Sequence, residues 1–412
     1  MPLRTAFAWL AAFVIMVTQG CGGGSGSSGS SDAVRTICAP APTNSTSIDL
    51  SGVTVQQLDD DKRWVASLMT QNYLWPNDTP AVNAQDSAYS NASAPYDSLK
   101  AYFQALLSPL VISSGRKKDR YSYVSTVRAT AAYYEGNSVT GLGLEWGKVA
   151  DPGIFRLRYI EPDSAAARTS GLQRGDTLVK VQGVTWTEAG ATSQARQLWN
   201  GGINPSTACR TTLEVRRNGE SLTLAVDSAP YIPQSVPLTR ILIDKNKQAV
   251  GYVHFTDYTA PAEAALIEAI NRFKAAKVSD VVVDMRYNGG GYLYVANALA
   301  SMLSIPATTN NKVFYSAQYG PNSGRSQDNK NFAAQACIMS SDYTCTRSDD
   351  LPHLGLARVY VLTTGSTCSA SEAVINGLRG VDVQVITLGQ KTCGKPYGFQ
   401  SNTHNGIAYF PI

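Results

Sequence analysis

Residues 361–400 read VLTTGSTCSASEAVINGLRGVDVQVITLGQKTCGKPYGFQ. With Val359 and Tyr360 before them, Val361 and Leu362 make a short apolar run that ends in Thr-Thr-Gly, the pattern of a buried strand stopping at a turn. Ser369-Ala370-Ser371-Glu372 then opens a segment in which Ala373, Val374, Ile375 and Leu378 form an apolar stripe, so a capped helix start is predicted there. A second apolar run, Val383 to Leu388, leads through Gly389 to Thr392-Cys393-Gly394-Lys395. Two loops therefore carry one hydroxyl cluster and one lysine.

A serine in the first turn of a helix lies among free backbone N–H groups, so an oxyanion formed beside it is stabilised by the backbone. Lysine can replace histidine as its base when the amine is desolvated enough to lose its proton near neutral pH. Judged by residue type alone, Ser369 and Ser371 read as a capping pair and Lys395 as a solvated loop charge. The whole pattern, Ser-Ala-Ser-Glu at a helix start, a strand, then Gly-x-x-Thr-x-Gly-Lys, resembles the C-terminal processing peptidases, the tail-specific serine proteases of peptidase family S41. That resemblance implies Ser369 as nucleophile, Lys395 as general base and Gln400 as the residue that orients the lysine, with Asp382 as a weaker candidate for the third role.

Upstream of this stretch, Ala249 to Phe255 is strand-like. Ala262 to Lys274 is an amphipathic helix with Leu266, Ile267, Ile270 and Phe273 inward, and Val278 to Met285 is a near-continuous apolar strand, giving a βαβ order. Arg286-Tyr287-Asn288-Gly289-Gly290-Gly291 closes that strand ahead of another helix, Tyr292 to Leu303. As structure this is a tight turn, and three glycines also let backbone approach closely and point N–H groups into a shared cavity. Asp-x-Arg-x-Asn-x-Gly-Gly resembles the second signature of the same family, which implies an oxyanion hole from the backbone of Gly290, or its neighbour Gly291, together with Ala370. The long connection Pro306 to Pro352, rich in Asn, Ser and Asp, is a candidate border of a substrate channel.

Between about Asn137 and Pro230 the order Gly141-Leu142-Gly143-Leu144, Gly171-Leu172, Gly175-Asp176 and Leu178 to Val181 resembles a PDZ domain. Such a module adds a peptide strand to a sheet edge, and the resemblance assigns the peptide carboxylate to the loop Gly141, Leu142, Gly143 and Leu144. A phosphate-binding glycine loop is disfavoured because strand-like residues, not a helix, follow the glycines. From Asp49 to Tyr134 the chain reads mostly helical, with Leu58, Val65, Leu68 and Met69 and then Leu99, Tyr102, Phe103, Leu106 and Leu107 as core positions.

At the start, Arg4 precedes the apolar run Ala6 to Val17, which is too short to span a bilayer comfortably and has the form of a secretory signal. Gly20-Cys21 and the Gly/Ser tract after it resemble a bacterial lipoprotein start with Cys21 lipidated. An export signal implies the periplasm or cell envelope, with a membrane attachment through the lipid. With 35 basic and 31 acidic residues the net charge is +4 and no long basic run occurs, which argues against nucleic acid as a partner. Seven cysteines leave six beside Cys21, and an oxidising compartment permits disulfides. Cys337 and Cys345 could close a short loop, and a Cys368–Cys393 bridge would pin the two catalytic loops. No Cys-x-x-Cys occurs and the histidines are scattered, so neither metal nor cofactor is expected.

The expected fold class is a multi-domain α/β protein. It has a signal peptide over 1–21, a linker over 22–48, a helical domain over 49–136, a PDZ-like β-rich domain over 137–231 and an α/β serine protease core of crotonase or ClpP type over 237–412. The last stretch stops inside a strand where relatives continue, so that core is expected to be incomplete. The expected function is a serine endopeptidase acting on exported proteins or peptides; the alternative is an inactive peptide-binding lipoprotein of the same fold. An esterase-type Gly-x-Ser-x-Gly turn is absent. Oligomeric state is left open.

Overall fold

A computed structural model describes residues 37–38, 52–149, 153–339 and 345–412. The signal peptide, the lipidation candidate Cys21 and the linker apart from Ile37 and Cys38 lie outside the described residues.

The strand Arg358–Thr363 is an inner strand of a five-stranded sheet, between Asp280–Asp284 on one side and the edge strand Gln384–Gly389 on the other. All three run parallel, as does Ala249–His254 beyond Asp280–Asp284, while Leu238–Ile243 closes the edge antiparallel. Inner parallel strands are covered on both faces and so are apolar throughout; Val281, Val283, Val359 and Val361 are buried. The helices Ala262–Ala275, Leu293–Leu303 and Ala370–Arg379 share the core. Leu266, Ile270 and Phe273 point inward as their spacing requires, with Ile267 partly buried against them. A side chain at Gly251 would come within 2.9 Å of the Phe273 ring, so glycine is what lets this helix settle on its strand.

In the first third, Thr54 caps the helix Val55–Asn72 through a capping box, and Pro95 starts the helix Pro95–Ala105. Their apolar faces bury Leu58, Val65, Met69, Leu99 and Phe103 in one core with Val124, Ile407 and Tyr409. The strand Ile407–Phe410 pairs antiparallel with Tyr123–Thr126 and with Asn402–His404. The stretch 237–412 therefore delivers its last strands to the helical segment near the start of the chain.

Residues 139–231 form a six-stranded antiparallel sheet in the order Val139–Gly141, Glu220–Tyr231, Cys209–Arg217, Thr177–Val181, Phe155–Ile160, Leu144–Lys148. It has its own core around Leu157, Val181, Trp199, Leu213 and Val226. Leu144–Lys148 is an edge strand. The disulfide Cys38–Cys209, a pairing the spacing did not indicate, ties the described beginning of the chain to this sheet, and the Cys38 N–H donates to the Arg210 carbonyl at 3.0 Å. The connection after Pro306 is not unbroken loop: it contains the antiparallel pair Val313–Ala317 and Asp328–Asn331 and the disulfide Cys337–Cys345.

The Phe103 ring lies 5.8 Å from that of Tyr409, so it joins the early helices to the last strand. Phe103→Ala is expected to lower stability by about 3–5 kcal/mol. Urea unfolding followed by tryptophan fluorescence, which samples Trp64 beside Tyr409, measures it; an unchanged midpoint would dissociate the two ends.

Candidate active site

Three loops leave the carboxyl ends of three adjacent parallel strands, the edge where open α/β sheets place their sites. Thr364 to Ser369 follows Arg358–Thr363, Arg286 to Gly291 follows Asp280–Asp284, and Gln390 to Lys395 follows Gln384–Gly389. Hydrogen bonds lock the first two together. The buried Thr367 hydroxyl donates to the Met285 carbonyl at 2.7 Å, the Cys368 N–H to the Asn288 carbonyl at 3.0 Å, and the Thr364 hydroxyl to the Arg286 carbonyl. The buried Asn288 donates its amide to the Phe255 carbonyl at 3.2 Å.

Ser369 stands at the start of the helix Ala370–Arg379 with φ 57° and ψ −114°. Residues other than glycine rarely adopt such a conformation, and holding one there costs about 1–3 kcal/mol. The surrounding bonds keep it in place: its N–H donates to Glu372 Oε2 at 2.9 Å and its carbonyl accepts the Ala373 N–H at 2.9 Å. The Ala370 N–H has no hydrogen-bond partner among the described residues.

Gly290 packs directly against this turn. A Cβ there would lie 2.8 Å from Ser369 Cβ and 3.0 Å from the Cys368 carbonyl oxygen, and φ is 106°. Its N–H, the expected oxyanion donor, is committed to Asn288 Oδ1 at 2.9 Å. The N–H of Gly291, with φ 135°, has no partner among the described residues.

Lys395 is half-buried, its Nζ 3.6 Å from the centroid of the Phe399 ring and 5.3 Å from that of Tyr121. Burial lowers its pKa from the usual lysine range to about 8, against the opposing pull of Asp119 and Glu372. Among the described residues no hydrogen bond joins the Ser369 hydroxyl to the Lys395 amine. The loop is nevertheless fixed to the serine. Cys368 and Cys393 form a disulfide, the Cys393 N–H donates to the Thr367 carbonyl at 3.0 Å, and Glu372 accepts the Lys395 N–H at 2.9 Å.

Gln400 does not orient the lysine in this structure. It is exposed, and its side-chain oxygen accepts from Arg325, whose guanidinium lies 3.7 Å over the Tyr319 ring. Asp382 is exposed in a left-handed turn between helix and strand. Asp119, which the sequence did not single out, is buried and accepts the Tyr73 hydroxyl at 2.8 Å and the Ser122 hydroxyl at 2.6 Å. The role of Glu372 beyond capping was also missed; its place three residues after the serine was the available signal. Cys368, Cys393 and Glu372 form the one grouping of potential metal ligands among the described residues, and its two sulfurs are bonded to each other.

At the candidate peptide-carboxylate loop, Leu142 is buried and Gly143 has φ 71°, with its carbonyl accepting the Glu161 N–H at 2.9 Å. Burial pushes the Glu161 carboxyl up to about 7. A groove runs beside this loop, lined by Leu144 and Trp146 of the edge strand and by Phe155, Trp199 and Ile203. Arg158 reaches from the same sheet to the Ser366 hydroxyl at 3.5 Å and over the Tyr287 ring at 5.1 Å.

A model of peptidase family S41 matches residues 249–405, and a model of the peptidase S41 N-terminal domain matches residues 60–123. Over 264 residues the chain is 25% identical to the chloroplastic carboxyl-terminal-processing peptidase 1 of Arabidopsis thaliana, across 62% of this chain and 47% of that protein. The chain thus spans about half the length of that curated relative. The crystal structure of a putative S41 protease from Bacteroides fragilis is similar in fold, with a TM-score of 0.60 at 20% identity over 85% of this chain and 84% of that one.

If Ser369 is held in a strained backbone, glycine relieves the strain. Ser369→Gly is expected to be more stable than Ser369→Ala by about 1 kcal/mol or more. Paired denaturant titrations of the two variants measure the difference, and equal stabilities would mean that the turn is unstrained.

Proposed function

Because the chain belongs to peptidase family S41, we propose that it is a serine endopeptidase in which Ser369 and Lys395 form the catalytic dyad. The observation that carries this reading is the convergence of the Ser369, Gly290 and Lys395 loops, with the lysine drawn down to about 8 by burial. The neutral Lys395 amine takes the proton from Ser369 Oγ as that oxygen attacks the peptide carbonyl, and returns it to the leaving amine. The N–H groups of Ala370 and Gly291 stabilise the tetrahedral oxyanion. Water then attacks the acyl-enzyme with Lys395 again as base, releasing the new carboxyl end.

The six-stranded unit serves as the PDZ-like docking module for substrate C-termini. Its edge strand Leu144–Lys148 and the groove beside it, lined by aromatic side chains together with Glu145, Asn200 and Asn204, suit a peptide added as a further strand, with the loop 141–144 at the carboxylate end. Export and a lipid on Cys21 complete the proposal, placing the enzyme at the cell envelope of a bacterium. The second reading is an inactive peptide-binding protein of the same fold, favoured by the lack of a Ser369–Lys395 hydrogen bond and by Gln400 facing Arg325.

Incubation of the purified chain with an unfolded protein, read by mass spectrometry, separates the two. Cleavage lost in Ser369→Ala, and reduced about 10²–10⁴-fold in Lys395→Ala, establishes the dyad. Equal inertness of all three, with peptide C-termini still bound, establishes the binding protein.

The base must be unprotonated, so kcat/KM should climb about tenfold per pH unit below pH 8 and level off above it. A rate profile flat from pH 6 to 9 would remove Lys395 as the base.

A further inference from the structure

Glu372 lies on the first turn of the helix that Ser369 begins, yet most of its bonds go elsewhere. Oε2 accepts the Ser369 N–H at 2.9 Å and the Lys395 N–H at 2.9 Å. Oε1 accepts the Thr392 hydroxyl at 2.7 Å and the Gly394 N–H at 2.8 Å. Both oxygens are fully used, three of the four donors belong to the lysine loop, and the fourth is the backbone of the nucleophile.

We propose that Glu372 is the positioning residue of the dyad, the group that sets the lysine loop in register with the serine. This rests on the Ser369–Lys395 reading above. Cys368–Cys393 and the bond from the Cys393 N–H to the Thr367 carbonyl join the same loops at the cysteines, while four hydrogen bonds to a planar carboxylate reach the backbone of both Ser369 and Lys395 and set their distance and orientation. The carboxylate also holds the positive form of Lys395 against burial. Positioning and charge are separable by substitution. Glutamine keeps the length and removes the charge, and its amide turns two donors toward donors. Aspartate keeps the charge and withdraws it by about one carbon–carbon bond, roughly 1.5 Å.

The experiment compares the full chain with Glu372→Gln, Glu372→Asp, Thr392→Val and the pair Cys368→Ser/Cys393→Ser. It uses steady-state cleavage of a quenched fluorescent peptide, thermal melts, and acetic anhydride labelling of Lys395 against pH by mass spectrometry. Displacements near 1 Å in a catalytic group cost on the order of 10²-fold. Both Glu372 variants should lose about that factor in kcat with KM within twofold, and Thr392→Val should lose less in the same direction. The Lys395 labelling midpoint should fall below about 8 in Glu372→Gln and stay in place in Glu372→Asp. The serine pair should retain more activity than either Glu372 variant.

Wild-type kcat in Glu372→Gln overturns the proposal. So does a loss that follows the melting temperature while the labelling midpoint is unmoved, because a helix cap alone would give that result. Should Glu372→Gln not fold, wild-type kcat in folded Thr392→Val overturns it. A parent chain as inert as Ser369→Ala would instead sink the dyad reading, and the labelling midpoints would still decide whether Glu372 governs the lysine.

Discussion

The inner strand Arg358–Thr363 is hydrogen-bonded on both sides by parallel neighbours, and this pairing positions the three loops of the site. Parallel strands release their loops on the same edge of the sheet, so the chain from 284, from 363 and from 389 emerges side by side. Polar ties then remove the remaining freedom. The Thr367 hydroxyl and Asn288 are both buried, and each bonds the backbone of another loop or strand. Breaking one would leave a buried polar group without a partner, at about 1–3 kcal/mol. The strained turn at Ser369 persists because its neighbours determine it on every side.

Features encoded over short distances were legible in the sequence. Apolar periodicity gave the order of strands and helices from 249 to 303 and again from 359 to 388, and the glycines at 290 and 291 sit where backbone approaches backbone within van der Waals reach. What was not legible depends on segments remote in sequence. Glu372 reads as a helix cap because its partners at 392, 394 and 395 are brought back only by the intervening strand. Asp119 reads as a loop acid, since nothing local reveals that the lysine's field includes it. Gln400 faces Arg325, in the connection whose hairpin the composition did not disclose. The pairing of the final strand with Tyr123–Thr126 was not legible either, because an isolated apolar segment does not name its partner.

Lys395 shows how two environments are balanced in one group. Aromatic carbon on Phe399 and Tyr121 strips water from the amine, and that favours the neutral form. Asp119 and Glu372 pull the other way. The ring faces soften the desolvation by offering their quadrupoles to the cation. The base is therefore set by a difference between large opposing influences, and its surroundings come from both ends of the chain.

The disulfide Cys38–Cys209 gives the chain a second covalent path. Everything between those cysteines, including the helices Val55–Asn72 and Pro95–Ala105, lies within one closed ring. Tension applied upstream of Cys38 passes through sulfur into the strand Cys209–Arg217 and bypasses that ring. As a mechanical element the early helical segment is shielded: a pull on the leading end loads the six-stranded sheet first. The same closure keeps a backbone cut inside the ring from releasing the leading end.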